Sequence, residues 1–196
     1  MMAENANSTI RASDAVILFA DLQAGIVELT GTNSLERLRR AVRALVRLAN
    51  VMGIPAIVTG VRGQKGEPAK VIPEISDGLG EPAILHRTVC DSFQSPEIAA
   101  AIQSTGRKTL LISGVATELA VQLAALGGAD RGYKVFVVLD ACGGMSERTE
   151  QAALLRITKA GATTVSVMTL AGELAGDFRE SKGQQALEIV YEMARA

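Results

Sequence analysis

The chain has a single histidine, two cysteines, no tryptophan and an aromatic content of only 3%. Each scarcity removes a class of function. One imidazole, His86, rules out a zinc site built from several histidines of one chain. Any Cys-His or Ser-His triad would have to use that same ring. Cys90 and Cys142 do not make a disulfide framework, and a reducing compartment fits them. So few rings argue against a stacking platform for single-stranded nucleic acid. They also argue against an aromatic-lined pocket, unless Phe19, Phe93 and a tyrosine converge on one. Neither sign of charge prevails: 20 basic residues face 21 acidic ones, for a net charge of −1. Nothing therefore favours nucleic acid or an anionic membrane as a partner. No apolar run approaches the roughly 20 residues of a membrane span. Residues 1–13 are polar and lack the apolar core of a secretion signal, so a cytoplasmic protein with a flexible N-terminus is expected.

What is present is enough apolar material for one domain spanning 1–196, since 48% of the 196 residues are hydrophobic. Short apolar runs alternate with segments of helical spacing, the pattern of a parallel α/β sheet. Ala15 to Ala20 is continuously apolar, as suits a strand buried on both faces. Leu35, Leu38, Val42, Leu45, Ala49 and Met52 recur at helical spacing, and Gly53 is placed to stop that helix. Further strands are predicted at 55–60, 83–86, 108–113, 134–139 and 163–168. Further helices are predicted at 96–105, 117–126 and 146–160, with a short and a longer helix after Leu170. Ser95 and Ser146 sit where N-caps belong. The stretch 61–80, rich in Gly, Pro and charge, reads as one long loop. Its Gly60-x-x-Gly63-x-x-Gly66 spacing is not a phosphate-loop pattern, and a dinucleotide fingerprint is missing.

In a doubly wound sheet ligands bind outside the carboxyl ends of the strands, near the point where the strand order reverses. With the common order 3-2-1-4-5-6, strands one and four flank that point. Asp21 ends strand one, Gly114 to Thr117 end strand four, and Arg87 follows strand three. A carboxylate, a cation and a helix start are thereby expected around one crevice. Gln23 is placed either to line the crevice or to hold the exit of strand one.

Five segments together carry a resemblance. They are Phe19-Ala20-Asp21-Leu22-Gln23, Arg87 through Phe93, Gly114 through Val121, Gly132-Tyr133 and Asp140-Ala141-Cys142. The third reads Gly-Val-Ala-Thr-Glu-Leu-Ala-Val. It resembles the G-V-x-T-x-x-C-V signature of the isochorismatase-like cysteine hydrolases, and the resemblance extends from about Asp14 to Phe178. It implies a three-layer α/β/α, Rossmann-like domain with a mostly parallel six-stranded sheet. It implies a homo-oligomer acting on a small amide, carbamoyl compound or vinyl ether, with no cofactor. The metal-site motif Asp-x-His-x-x-His of some members is absent, so no metal is expected.

The family uses an Asp, a Lys and a Cys. Asp21 matches the first, Arg87 stands in the lysine segment, and Ala120 occupies the cysteine position. A carboxylate can take a thiol proton and a cation can support the thiolate, but a methyl group is no nucleophile. By resemblance, the Val115–Ala116 bond is a cis peptide, and Val115, Ala116 and Thr117 would cradle an oxyanion. Phe93 and Gln23 would line the substrate site. Three explanations of Ala120 stay open. One is cysteine-independent hydrolysis of a vinyl ether with Asp21 as general acid, which burial favours and Arg87 opposes. Another is a catalytically silent protein that keeps the pocket or the assembly surface. The third is an engineered Cys→Ala exchange. Cys90 is close enough in sequence to Arg87 to be weighed as a substitute thiol, although a structural role suits it and Cys142 better.

Overall fold

A computed structural model describes residues 9–195; the first eight residues of the expected flexible N-terminus lie outside that range. Six parallel strands form one sheet in the order β3-β2-β1-β4-β5-β6. They are β1 (Ala15–Ala20), β2 (Ala56–Gly60), β3 (Ile84–His86), β4 (Thr109–Val115), β5 (Lys134–Gly143) and β6 (Thr163–Val165). The order is the expected one. Strand β1 is wholly buried, and its side chains alternate between two cores. Ile17 and Phe19 pack with Leu38, Val42 and Leu45 of α1 (Leu35–Met52) and with Ile189 of α7 (Ser181–Ala194). Val16, Leu18 and Ala20 pack with Ile98 and Ile102 of α3 (Pro96–Ser104), Ala124 of α4 (Gln122–Asp130) and Ile157 of α5 (Glu147–Lys159). Period-two alternation on a parallel strand thus builds both outer layers.

The helix ends follow local chemistry. Ser34 Oγ accepts from Arg37 N–H at 3.2 Å and opens α1, and Gly53 closes it in the left-handed region at φ +67°. Ser146 caps α5 as expected, accepting from Thr149 N–H at 3.2 Å. Ser95 holds the N-cap position of α3 without a side-chain capping bond; Pro96 at the first turn supplies the preset φ instead.

Three expectations need correction. The stretch 61–80 is not all loop: α2 (Pro73–Leu79) forms within it, started by a proline at N1 and ended by Gly80 at φ +68°. Strand β6 stops at Val165, because Ser166 Oγ accepts from Thr169 N–H at 3.1 Å and starts α6 (Val167–Ala175). Strand β5 runs four residues past Leu139, to Gly143, where its end pairs with Gly114 and Val115 beyond a register shift.

Helix α2 is tied to α1 by charge. Glu74, with its side chain 2% exposed, accepts from Arg39 Nε at 3.1 Å and Arg43 at 3.0 Å. Burial pushes its carboxyl up, but the bonds from Arg39 and Arg43 outweigh that and hold it below its ordinary value of 4.5. A lowered folded-state value stabilises above the unfolded one and is lost as pH falls through the folded one. Urea unfolding of Glu74→Gln against the unmodified protein should therefore show its largest deficit near neutral pH. The gap should shrink below about pH 4.5; a gap that widens in acid contradicts the ion-pair role.

Candidate functional site

Strand β1 ends at Asp21, whose backbone sits at φ +57°, an uncommon conformation for a residue with a side chain. That turn is held by Asp21 N–H donating to Thr59 O at 3.2 Å. Strand β3 ends at His86, and Arg87 N–H donates to Gly60 O at 3.0 Å, which points the Arg87 side chain back across β2. The guanidinium reaches Asp21: Nε lies 3.1 and 2.9 Å from the two carboxylate oxygens, and a terminal nitrogen also donates to Oδ2. Asp21 is 1% exposed and the Arg87 side chain 10%. The other terminal nitrogen of Arg87 donates to Val89 O at 2.7 Å. Burial works against the Arg87 charge, but Asp21 outweighs it and holds the guanidinium above its ordinary value, with Cys90 adding to the effect. Asp21 is thus engaged as an ion-pair acceptor with both oxygens taken.

The strand-four turn completes the crevice. Val115–Ala116 is a cis peptide. A wide π turn (Thr117–Val121) precedes α4, so the helix read at 117–126 is two pieces, the second running on to Asp130. Ala116 O accepts from Leu119 N–H at 3.1 Å and Val121 N–H at 3.3 Å. Thr117 Oγ donates to Glu150 Oε1 at 2.8 Å. Val115, Ala116 and Thr117 are all buried, and Ala120 is 0% exposed, packed in the α3–α4–α5 core. The methyl group at position 120 is core packing.

The remaining candidates are engaged by backbone bonds or packing. Gln23 exchanges two bonds with the Val61 backbone, Nε2 to O at 2.9 Å and N–H to Oε1 at 2.8 Å. It straps the exits of β1 and β2 together. Phe93 packs on Tyr133 with ring centroids 5.6 Å apart, beneath the Arg131 guanidinium at 5.1 Å. A side chain on Gly128 would meet its ring, so Phe93 lies under the far end of α4, eight residues along from Ala120. His86 Nε2 accepts from Ala69 N–H at 3.1 Å. A cavity of about 500 Å³ beside β3 is lined by Arg87 with Arg62, His86 and Glu97.

Sequence reasoning missed three residues that hold this region. Asn33 Nδ2 donates to Asp140 O at 2.9 Å and Cys142 O at 3.1 Å. Glu118 accepts from Met145 N–H at 2.9 Å and the Thr149 hydroxyl at 2.5 Å, pinning the π turn to the start of α5. Burial opposes the Glu118 charge, but these bonds hold its carboxyl below the ordinary range. Glu150 fixes the Thr117 hydroxyl. All three act across long sequence separations and leave no local pattern.

The two thiols differ. Burial pushes the Cys142 thiol up to about 12, with the Glu150 and Asp140 charges adding to the effect, while Cys90 is exposed. At neutral pH, iodoacetamide should modify Cys90 and leave Cys142 unreacted in the folded protein, as read by peptide mass spectrometry. Equal labelling of both would contradict this burial.

Fold and site together define an α/β protein with an aspartate–cation pair at the switch point of its sheet. The family model of the isochorismatase domain matches residues 15–169, and the chain belongs to that family. It is 32% identical over 168 residues to the probable hydrolase YcaC of Escherichia coli strain K12, covering 85% of this chain and 80% of that protein. The structure resembles YcaC from Pseudomonas aeruginosa with hexane-2,5-diol and covalent acrylamide: TM-score 0.87, 26% identity, 100% of this chain and 96% of that one. It equally resembles the Escherichia coli ycaC product, an octameric hydrolase of unknown specificity. There the TM-score is 0.87 and identity 28%, covering 95% of this chain and 91% of that one. Among the described residues no helix is long and apolar enough to cross a membrane.

Proposed function

We propose that this chain is a homo-oligomeric member of the isochorismatase family that no longer hydrolyses amides through a covalent intermediate at the strand-four turn. It acts instead as a small-molecule-binding or structural protein. One observation carries the reading: the nucleophile position is a fully buried methyl group, Ala120, while Asp21 has both oxygens closed on Arg87. Acyl transfer needs a thiol, a base free to take its proton and room for a carbonyl. The first is missing, the second is occupied, and position 120 is closed to solvent. Assembly is supported by the octameric state of the Escherichia coli ycaC product. The large apolar side chains Leu119, Leu155 and Tyr191, each more than half exposed, are suited to it.

A second reading has one observation in its favour. Asp21 keeps a left-handed backbone at φ +57°, a conformation that typically costs about 1–3 kcal/mol and clusters at working sites. Thiol-independent cleavage of a vinyl ether, with Asp21 as the acid, would use it. In that case Arg87 must release one carboxylate oxygen when substrate enters.

Restoring the thiol separates a lost atom from a lost site. Ala120→Cys should give no amidase activity on a panel of small amides and carbamoyl compounds, because the base is still held by Arg87 and position 120 is closed to solvent. Turnover by Ala120→Cys would mean that the site is otherwise intact and that the exchange at 120 alone silences it.

A further inference from the structure

A second cavity, of about 640 Å³, opens where the carboxyl ends of β5 and β6 meet the start of α1; Asp21, Arg87 and Ala120 do not line it. Its size is within the range of about 300–1,000 Å³ usual for small-molecule sites. The lining includes two guanidiniums. Arg37 and Arg40 stand three residues apart on α1, so their side chains share a helix face. Among the described residues neither forms an ion pair, whereas Arg39 and Arg43 close on Glu74. Arg40 Nε is buried and has no hydrogen-bond partner among the described residues. A buried N–H without an acceptor is destabilising, and such a group calls for an explanation. An acceptor brought by a ligand supplies one.

The lining also holds two carboxylates, Asp140 and Glu150, both partly engaged. The two oxygens of Asp140 accept from Val167 N–H at 3.0 and 3.2 Å, and Glu150 Oε1 accepts from Thr117. A carboxylate has about four lone-pair positions, so each retains acceptor capacity beyond these bonds. Two carboxylates in the same lining as two guanidiniums disfavour a dianionic phosphate. They suit a molecule with one negative end and hydroxyl donors at the other.

We propose that this cavity binds a small hydroxy-carboxylate, its carboxylate on Arg40 and Arg37 and its hydroxyl groups on Glu150 and Asp140. The cavity adjoins the strand-four turn through the Glu150–Thr117 bond, but Asp21, Arg87 and Ala120 do not line it, so glycerate binding is tested apart from thiol chemistry at position 120.

Isothermal titration of the full chain with glycerate tests it, with propionate and inorganic phosphate as comparison probes. Glycerate should bind saturably and more tightly than either. Arg40→Gln should weaken binding about tenfold or more, the effect of losing a charge-assisted bond. Arg37→Gln, a change at an exposed side chain, should weaken it in the same direction and serves if Arg40→Gln fails to fold. Hydrogen–deuterium exchange should show protection by glycerate at the start of α1 and at the β5 and β6 ends. Absence of saturable glycerate binding at millimolar concentration would overturn the proposal. So would phosphate or propionate binding as tightly as glycerate, both variants binding like the unmodified protein, or protection confined to the turn around Asp21.

Discussion

Asp21→Ala should lower the unfolding free energy by about 3–5 kcal/mol, the usual loss when one partner of a buried ion pair is removed. Asp21 is 1% exposed and Arg87 nearly as enclosed, so the orphaned guanidinium cannot regain full hydration without moving. Urea denaturation measures the loss. The double variant Asp21→Ala/Arg87→Leu should lose less than the two single variants added together, because no unpaired charge then stays buried. Strict additivity would mean that the two side chains do not act on each other. This prediction holds whether or not the pair has a chemical role, since it follows from burial and geometry alone.

Gly114→Ala should be the next most damaging change, at about 3 kcal/mol, the upper part of the range for overpacking. Gly114 pairs with Ala20 across β1 and β4, and a side chain at 114 would come within 2.3 Å of the Ala20 carbonyl oxygen and 2.9 Å of its Cβ. The obstacle is backbone on the central strand, which cannot swing away as a side chain tip can. The glycine of the Gly-Val-Ala-Thr segment is therefore required for strand approach and not only for a tight turn. Thermal unfolding is the check: a melting temperature equal to that of the unmodified protein would contradict the close approach.

Much of this architecture was legible before any coordinates. Continuous apolarity at 15–20 identified the central strand, and helical spacing with Gly53 behind it gave α1 and its end. The 3-2-1-4-5-6 order brought Asp21 and Arg87 together as expected. What escaped was of two kinds. Short elements were hidden by neighbouring residues of opposite tendency: α2 lies in a stretch rich in glycine and proline, and α6 begins directly after a β-branched run. Long-range polar contacts were hidden because nothing local encodes them. Thr117 meets Glu150 and Asn33 meets Asp140 across 33 and 107 residues. For Gln23 the sequence left two roles open, and its bonds to the Val61 backbone match the one that holds the exit of strand one. For Phe93 the sequence held no sign of its packing on Tyr133 and beneath Arg131, again because these contacts are not local.

The identity of the cation at position 87 shapes the pair it makes with Asp21. With an ammonium group, a lysine makes point-charge contacts; the planar guanidinium of Arg87 engages both oxygens of Asp21 at once. In the proposed reading, arginine at 87 and alanine at 120 fit together: one closes the Asp21 carboxylate, and the other offers it no thiol to activate.

Turnover of the unmodified protein on isochorismate and on small amides and carbamoyl compounds is the most direct test. No product above background is expected from any of them, because no thiol stands at 120 and Asp21 is held by Arg87. Steady turnover that disappears in a folded Asp21→Asn variant would contradict this and establish a hydrolase working through its aspartate alone.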